Sequence, residues 1–109
     1  MKPLIEVEED GFSVRFNASA ERMPWSAITS VVAFKRDTYI VDLICLAIQV
    51  DEGKIMEVNE EMSGWSALVM GLAERLPGFP SFEDWFRSVA FPAFKTNTTV
   101  LFDRGGITP

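Results

Sequence analysis

Glu57, Glu60 and Glu61 follow closely on Asp51 and Glu52, the densest run of chemically capable side chains in the sequence. Carboxylate oxygens of this kind can hold a hard divalent cation, but the spacing lacks the alternating ligand positions of a calcium loop. A solvated acidic edge is the reading it favours. Paired carboxylates also hydrolyse glycosides when held at a fixed separation. With 16 acids among 109 residues, pairs arise by number alone and single out no reaction. Asp42 differs because it interrupts an apolar run, and it is expected near a sheet edge or paired with Lys35 or Arg36.

The chain has no histidine. That removes the commonest general base and metal ligand, the Ser-His and Cys-His nucleophile arrangements and most zinc sites. The one cysteine, Cys45, has no partner for an internal disulfide. Its neighbours Ile44 and Leu46 suit a small buried hydrophobe better than an activated thiol. Gly105-Gly106 is followed by no helix, so no phosphate-binding loop is present. No catalytic residue, metal ligand or cofactor is assigned, and the expected class is non-enzymatic.

Net charge points the same way. At −6 with no block of Lys or Arg, the chain repels nucleic acid and anionic membranes and attracts a basic protein. Phe79, Phe91 and Phe94 lie in the Pro-rich connections around a second helix. Together with Asp51, Glu52, Glu57, Glu60 and Glu61 they form the candidate partner-binding set. Trp65 and Trp85 sit at helical spacing and are expected as core anchors. The first residues, Met1-Lys2-Pro3-Leu4-Ile5-Glu6, reach acid without the apolar stretch of a secretory signal. The apolar run 39–50 is shorter than the roughly 20 residues that span a bilayer as a helix. The cytoplasm is the expected compartment.

These side chains need elements to hold them. The run Tyr39 to Val50 is the central one, because its residue types favour a strand and both of its alternating faces are apolar. Ile40, Ile44, Leu46, Ile48 and Val50 share one face; Tyr39, Val41, Leu43, Cys45 and Ala47 share the other. Twelve residues at about 3.3 Å each extend about 40 Å, more than the roughly 34 Å diameter of a chain this size, so a bend, bulge or strong coiling is expected. Residues 4–8 and 12–16 read as a hairpin through Glu9-Asp10-Gly11, and 17–24 as a polar loop. Strand 28–35, with Arg36-Asp37 as its connection and Lys35 solvated, leads into the long strand. Residues 55–59 return antiparallel.

The period then changes from two to about 3.6. Trp65, Leu68, Val69, Leu72 and Leu76 form one stripe of a helix capped by Ser63 and ended by Pro77-Gly78, with Gly71 marking a close approach to the sheet. Ser81 and Asp84 open a short helix, 82–89, with Phe82, Trp85, Phe86 and Val89 inward. Residues 98–103 form a last strand with Thr98, Val100 and Phe102 on one face. The expected fold is α+β, a single domain over 1–104 with a flexible tail at 105–109. It is a curled antiparallel sheet of about six strands with two helices packed on one face, in the order β-β-β-β-β-α-α-β. Covering the second face of the long strand takes curling or a second subunit, so a homodimer is a further expectation.

Pro24-Trp25-Ser26-Ala27-Ile28, Lys35-Arg36-Asp37, Gly64-Trp65, Leu76-Pro77, Trp85, Pro92-Ala93-Phe94 and Asn97-Thr98-Thr99 resemble a pattern in small hypothetical proteins of bacteria. The opening Trp25-x-x-Ile28 and Lys35-x-Asp37 is similar to strands of pleckstrin-homology-like domains. That resemblance implies a curled sheet closed by a helix and brings no catalytic residue. A pleckstrin-like chain ends on its helix, whereas here a strand follows. The expected function is a protein-interaction module, of immunity or inhibitor type against a basic partner. The alternative is a small-molecule carrier with an apolar pocket between sheet and helices near Trp65 and Trp85.

Overall fold

Period-two alternation in the first half of the chain produces two antiparallel sheets rather than one. The computed structural model describes residues 3–37, 42–90 and 98–104. Strands β1 (Leu4–Glu8), β2 (Gly11–Phe16) and β3 (Ser19–Pro24) form a three-stranded meander. After a 3₁₀ turn at Trp25–Ala27 come β4 (Ile28–Asp37), β5 (Asp42–Val50) and β6 (Ile55–Asn59). Helices α1 (Trp65–Arg75) and α2 (Phe82–Ala90) follow, then β7 (Thr98–Asp103). The second sheet has the order β6-β5-β4-β7.

The expected curled sheet of about six strands is therefore corrected to seven strands in two sheets. The missed strand is β3, read from its residues as a polar loop. Asn17 takes φ 57°, which closes a two-residue turn between Phe16 and Ser19. The backbone ladder to β2 holds this edge, with exposed cross-strand charges in place of apolar alternation. Arg22 pairs with Glu8 at 3.2 Å and with Asp10, and only Met23 of β3 is buried.

One cluster of buried side chains joins both sheets and both helices. Ile5, Phe12 and Met23 come from the first sheet, Val31, Ile44, Leu46 and Ile48 from the second, and Leu68, Leu72, Trp85 and Val89 from the helices. Helix α2 packs on β4, β5 and β7, whereas α1 packs on β1 and on α2. Among the described residues, α2 thus makes the main helical contact with the large sheet, and α1 with β1. The meander and α1 complete the cover.

Gly64 rather than Ser63 sits at the N-cap of α1. It has φ 90°, and a Cβ there would overlap the carbonyl oxygen of Ile5. That close approach lets the Ile5 N–H donate to the Ser63 carbonyl at 2.8 Å, tying the helix entrance to β1. The close approach expected at Gly71 is present: a Cβ would stand 3.0 Å from the Trp25 ring and 3.5 Å from Val7. At the second helix the Asp84 N–H donates to Ser81 Oγ at 3.3 Å, half of the expected capping box.

Bulges decide which side chains face inward. An irregularity between Val31 and Val32 leaves Leu101 without a direct partner, because Val31 opposes Phe102 and Val32 opposes Val100. Parity breaks there, so Leu101 and Phe102 are both buried and Val100 is 61% exposed. The expected common face of Thr98, Val100 and Phe102 is corrected accordingly. A second shift sets Thr29 apart between Ile28 and Ser30. The expected bend is thus made in the neighbours of β5. Tyr39, Ile40 and Val41, expected as its first residues, lie outside the described part of the structure, as does the tail from Gly105 to Pro109.

Candidate functional site

The second sheet has two unlike faces, and its register defines both. On β4, Val31, Ala33 and Lys35 point to the core; on β5, Ile44, Leu46, Ile48 and Val50 do. Lys35 is 1% exposed, which corrects the expectation of a solvated turn: β4 runs on to Asp37 and places Lys35 on its inner face. Its Nζ donates to the Ala90 carbonyl at 2.9 Å and stands 3.5 Å from Asp42 Oδ2. A buried ammonium needs such partners. The lysine joins the last residue of α2 to the sheet, and the expected pairing of Asp42 is met.

The outer face follows from cross-strand partners. Thr98, Phe34, Cys45 and Asn59 form one row and Val100, Val32, Ala47 and Glu57 the next. Arg36 opposes Leu43 at the end of the face. Among the described residues, no element packs on this side. Its shield is a side chain. The Arg36 guanidinium donates to both Glu57 oxygens, at 3.0 and 2.9 Å, and lies 5.5 Å from the centre of the Phe34 ring. It passes beside Cys45, which is fully buried. Burial first, and then the charge of Glu57, push the Cys45 thiol above its ordinary value. Hydrogen bonding to Glu57, and then the Glu57 charge, hold the Arg36 pKa above the usual guanidinium value.

A second feature lies between the helices. Trp65, Ser66, Val69, Met70 and Phe82 line a groove of about 220 Å³ that is apolar almost throughout. Met70 is 63% and Phe82 39% exposed, which corrects the inward placement of Phe82. Trp85 and Val89 point into the core as expected, and Trp65 is half-buried at the groove. The groove's chain neighbours are mostly acidic: Glu61 lies in the turn before α1, Glu74 one turn beyond Met70 with Arg75 after it, and Glu83 and Asp84 beside Phe82 share a cleft with Arg87. All four acids are exposed. A separate open cleft of about 510 Å³ lies between Trp25, Arg75, Leu76, Phe102 and Arg104. Arg104 there donates to the Ile28 carbonyl at 2.8 Å, so its charge fastens the chain end to β4.

The described members of the candidate partner-binding set do not form one patch. Asp51 and Glu61 stand beyond opposite ends of β6, whose five residues extend about 17 Å. Glu57 is on the outer face of the sheet. Glu60 accepts from the Ile44 N–H at 2.8 Å while its own N–H donates to the Ile44 carbonyl at 3.0 Å, so it extends the β5 pairing. Phe79 is half-buried against the core. Phe91, Phe94 and the Glu52 side chain lie outside the described part of the structure. Among the described residues, no three acidic or cysteine side chains gather as a cation site, and no helix is long and apolar enough to cross a membrane.

Sequence reasoning missed Met70, Phe82, Val32 and Val100. Met70 had a signal, since it is apolar and falls off the helix stripe. Val100 had none, because a bulge sets its direction. Comparison with protein-family models, with curated proteins and with solved structures finds no match to this chain.

Proposed function

We propose that the protein is a non-enzymatic interaction module whose α1–α2 groove seats an apolar side chain of a basic partner segment. The observation that carries this reading is an apolar groove with exposed Met70 and Phe82 set among exposed acids. Methionine adapts its shape to a guest, and aromatic walls supply contact area. Carboxylates around such a groove draw a cationic segment and repel an anionic one. An inhibitor or immunity role against a basic protein fits the same surface.

The carrier alternative is less well supported. The groove at Trp65, of about 220 Å³, falls below the roughly 300 Å³ at which small-molecule pockets begin, and the cleft of about 510 Å³ is lined by Arg75, Asp103 and Arg104 as well as apolar residues and does not include Trp65 or Trp85. The space beneath the helices is filled by Leu68, Leu72, Trp85 and Val89, all buried.

Tryptophan fluorescence tests the proposal, using an amphipathic Lys/Leu peptide and its Glu/Leu counterpart as probes. The Lys/Leu peptide is expected to bind, with affinity falling as salt rises. Met70→Ser changes no charge and is expected to weaken binding about tenfold, or about 1.4 kcal/mol. Equal binding of both peptides, or no effect of Met70→Ser, refutes the groove as the docking site.

A further inference from the structure

The cations of the chain fall into two groups. Among the described residues, Arg15, Arg22, Lys35, Arg36 and Lys54 each stand against an acid, whereas Arg75, Arg87 and Arg104 make no ion pair. With 16 acids to 10 bases, a cation without an acid is the less expected outcome. Two of these three, Arg75 and Arg104, line one space, the open cleft of about 510 Å³.

Elements far apart in the chain build that cleft. Arg75 is the last residue of α1, Trp25 opens the 3₁₀ turn, Phe102 and Asp103 end β7, and Arg104 follows them. Arg104 is fixed in place by backbone. Its N–H donates to the Thr29 carbonyl at 2.8 Å, its Nε to the Ile28 carbonyl at 2.8 Å, and its Nη2 reaches the Trp25 carbonyl at 3.5 Å. Those acceptors are neutral, so they orient the guanidinium and leave its charge unmatched. Two of its five side-chain N–H groups are used in this way, and the other three point elsewhere. Trp25 is fixed as well. Its Nε1 donates to the Glu9 carbonyl at 3.0 Å, and its ring lies 5.8 Å from that of Phe12 and against Gly71. Walls held this way lose little freedom when a ligand arrives.

We infer that this cleft binds a small carboxylate carried on an apolar body. Arg75 and Arg104 meet the carboxylate, and Trp25, Leu76 and Phe102 meet the body. Asp103 lines the same cleft and sets the charge class. Two cations and one acid leave one positive charge, which a monoanion matches and a phosphate dianion exceeds. A cationic ligand meets two like charges there and one opposite. The volume lies within the roughly 300–1,000 Å³ of small-molecule sites. Because the cleft is open and both arginines are exposed, binding is weak and falls as salt rises. No residue lines both this cleft and the α1–α2 groove, so the two sites stand or fall separately.

Nuclear magnetic resonance titration of the full chain tests this, with indole-3-acetate as the probe and its neutral amide and tryptamine as controls. Indole-3-acetate is expected to shift the Trp25 indole N–H and the Arg104 Nε–H saturably, with a dissociation constant near the millimolar range. The amide is expected to bind about tenfold more weakly, and tryptamine more weakly still. Arg75→Gln removes a side chain with no ion pair among the described residues, and the spectrum of the free variant confirms its fold. It is expected to raise the dissociation constant about tenfold. Arg87→Gln makes the same change of net charge outside the cleft and is expected to leave binding unchanged. Met70→Ser, in the groove, is expected to leave it unchanged too, which separates this inference from the proposed function. Absence of a saturable shift at Trp25 and Arg104 overturns the inference. So does tryptamine or the amide binding as well as the carboxylate, or Arg87→Gln weakening binding as much as Arg75→Gln, which would reduce the effect to net charge.

Discussion

Lys35 and Arg36 are consecutive residues of one strand, yet they occupy different media. Lys35 lies among core side chains, and its ammonium is held by the end of α2 and by Asp42. Arg36 lies across the open face with a side chain 53% exposed, and water competes for its charge. Their interactions look alike as contacts, a cation with a carboxylate in each case. Their weights differ, because desolvation turns a buried partner into a requirement while screening makes an exposed one optional. The same contrast separates the two faces of the whole sheet. One face holds the fold together, and on the other no element packs among the described residues.

The sharpest way to break this comparison is to delete each cation. Lys35→Ala removes one partner of a buried pair along with its packed stem, and is expected to cost about 3–5 kcal/mol in urea denaturation. Arg36→Ala is expected to leave the midpoint almost unchanged, because its pair with Glu57 is exposed. Equal losses from the two would mean that the faces are not distinct.

Apolar residues offer the next contrast. Leu46→Ala opens a cavity on the inner face and is expected to cost about 2–5 kcal/mol. Leu43→Ala, three residues earlier on the half-exposed face, is expected to cost about 1 kcal/mol in dilute solution. Urea midpoints of the two variants check this, and equal losses would mean that both faces of β5 are covered alike.

The smallest expected effect concerns pH. Cys45 has its pKa raised in the folded state, chiefly by burial, so the folded protein holds the thiol proton more tightly than the unfolded chain does. The stability this contributes is fully present below the unfolded thiol value of about 8.5 and is lost as pH rises through the folded value. Urea midpoints of the wild type should therefore fall above that pH, and those of Cys45→Ala should fall less. Parallel curves would show that the shield of Arg36, Glu57 and Phe34 leaves the thiol in contact with water.

Much of the fold was legible in the chain. The order of both helices and of the six recognised strands followed from changes in hydrophobic period. Gly71 signalled a close approach to the sheet, made to Val7 of β1, but not the nearer Trp25 ring of the 3₁₀ turn. The seventh strand was not legible. β3 is an edge strand held by its backbone ladder to β2 and by Met23 as its one buried side chain, so its residues carry almost no apolar alternation to be read. The candidate site was legible only in kind. Acids and exposed aromatics were named as its ingredients, but the acids named there lie along and beyond β6. The described aromatic of that set, Phe79, is half-buried, while Phe82 and Met70 stand at the groove.

What the residues alone determined is local: where strands and helices form, that β5 is apolar on both flanks, and that no histidine chemistry is available. Those properties depend on side-chain type and spacing within a few residues. What tertiary structure decided is which flank of β5 receives the second layer, that Lys35 is inside and Arg36 outside, and that Val100 turns to the surface. A single bulge reverses the parity of a strand, and the energy that selects it lies in packing between residues far apart in the chain.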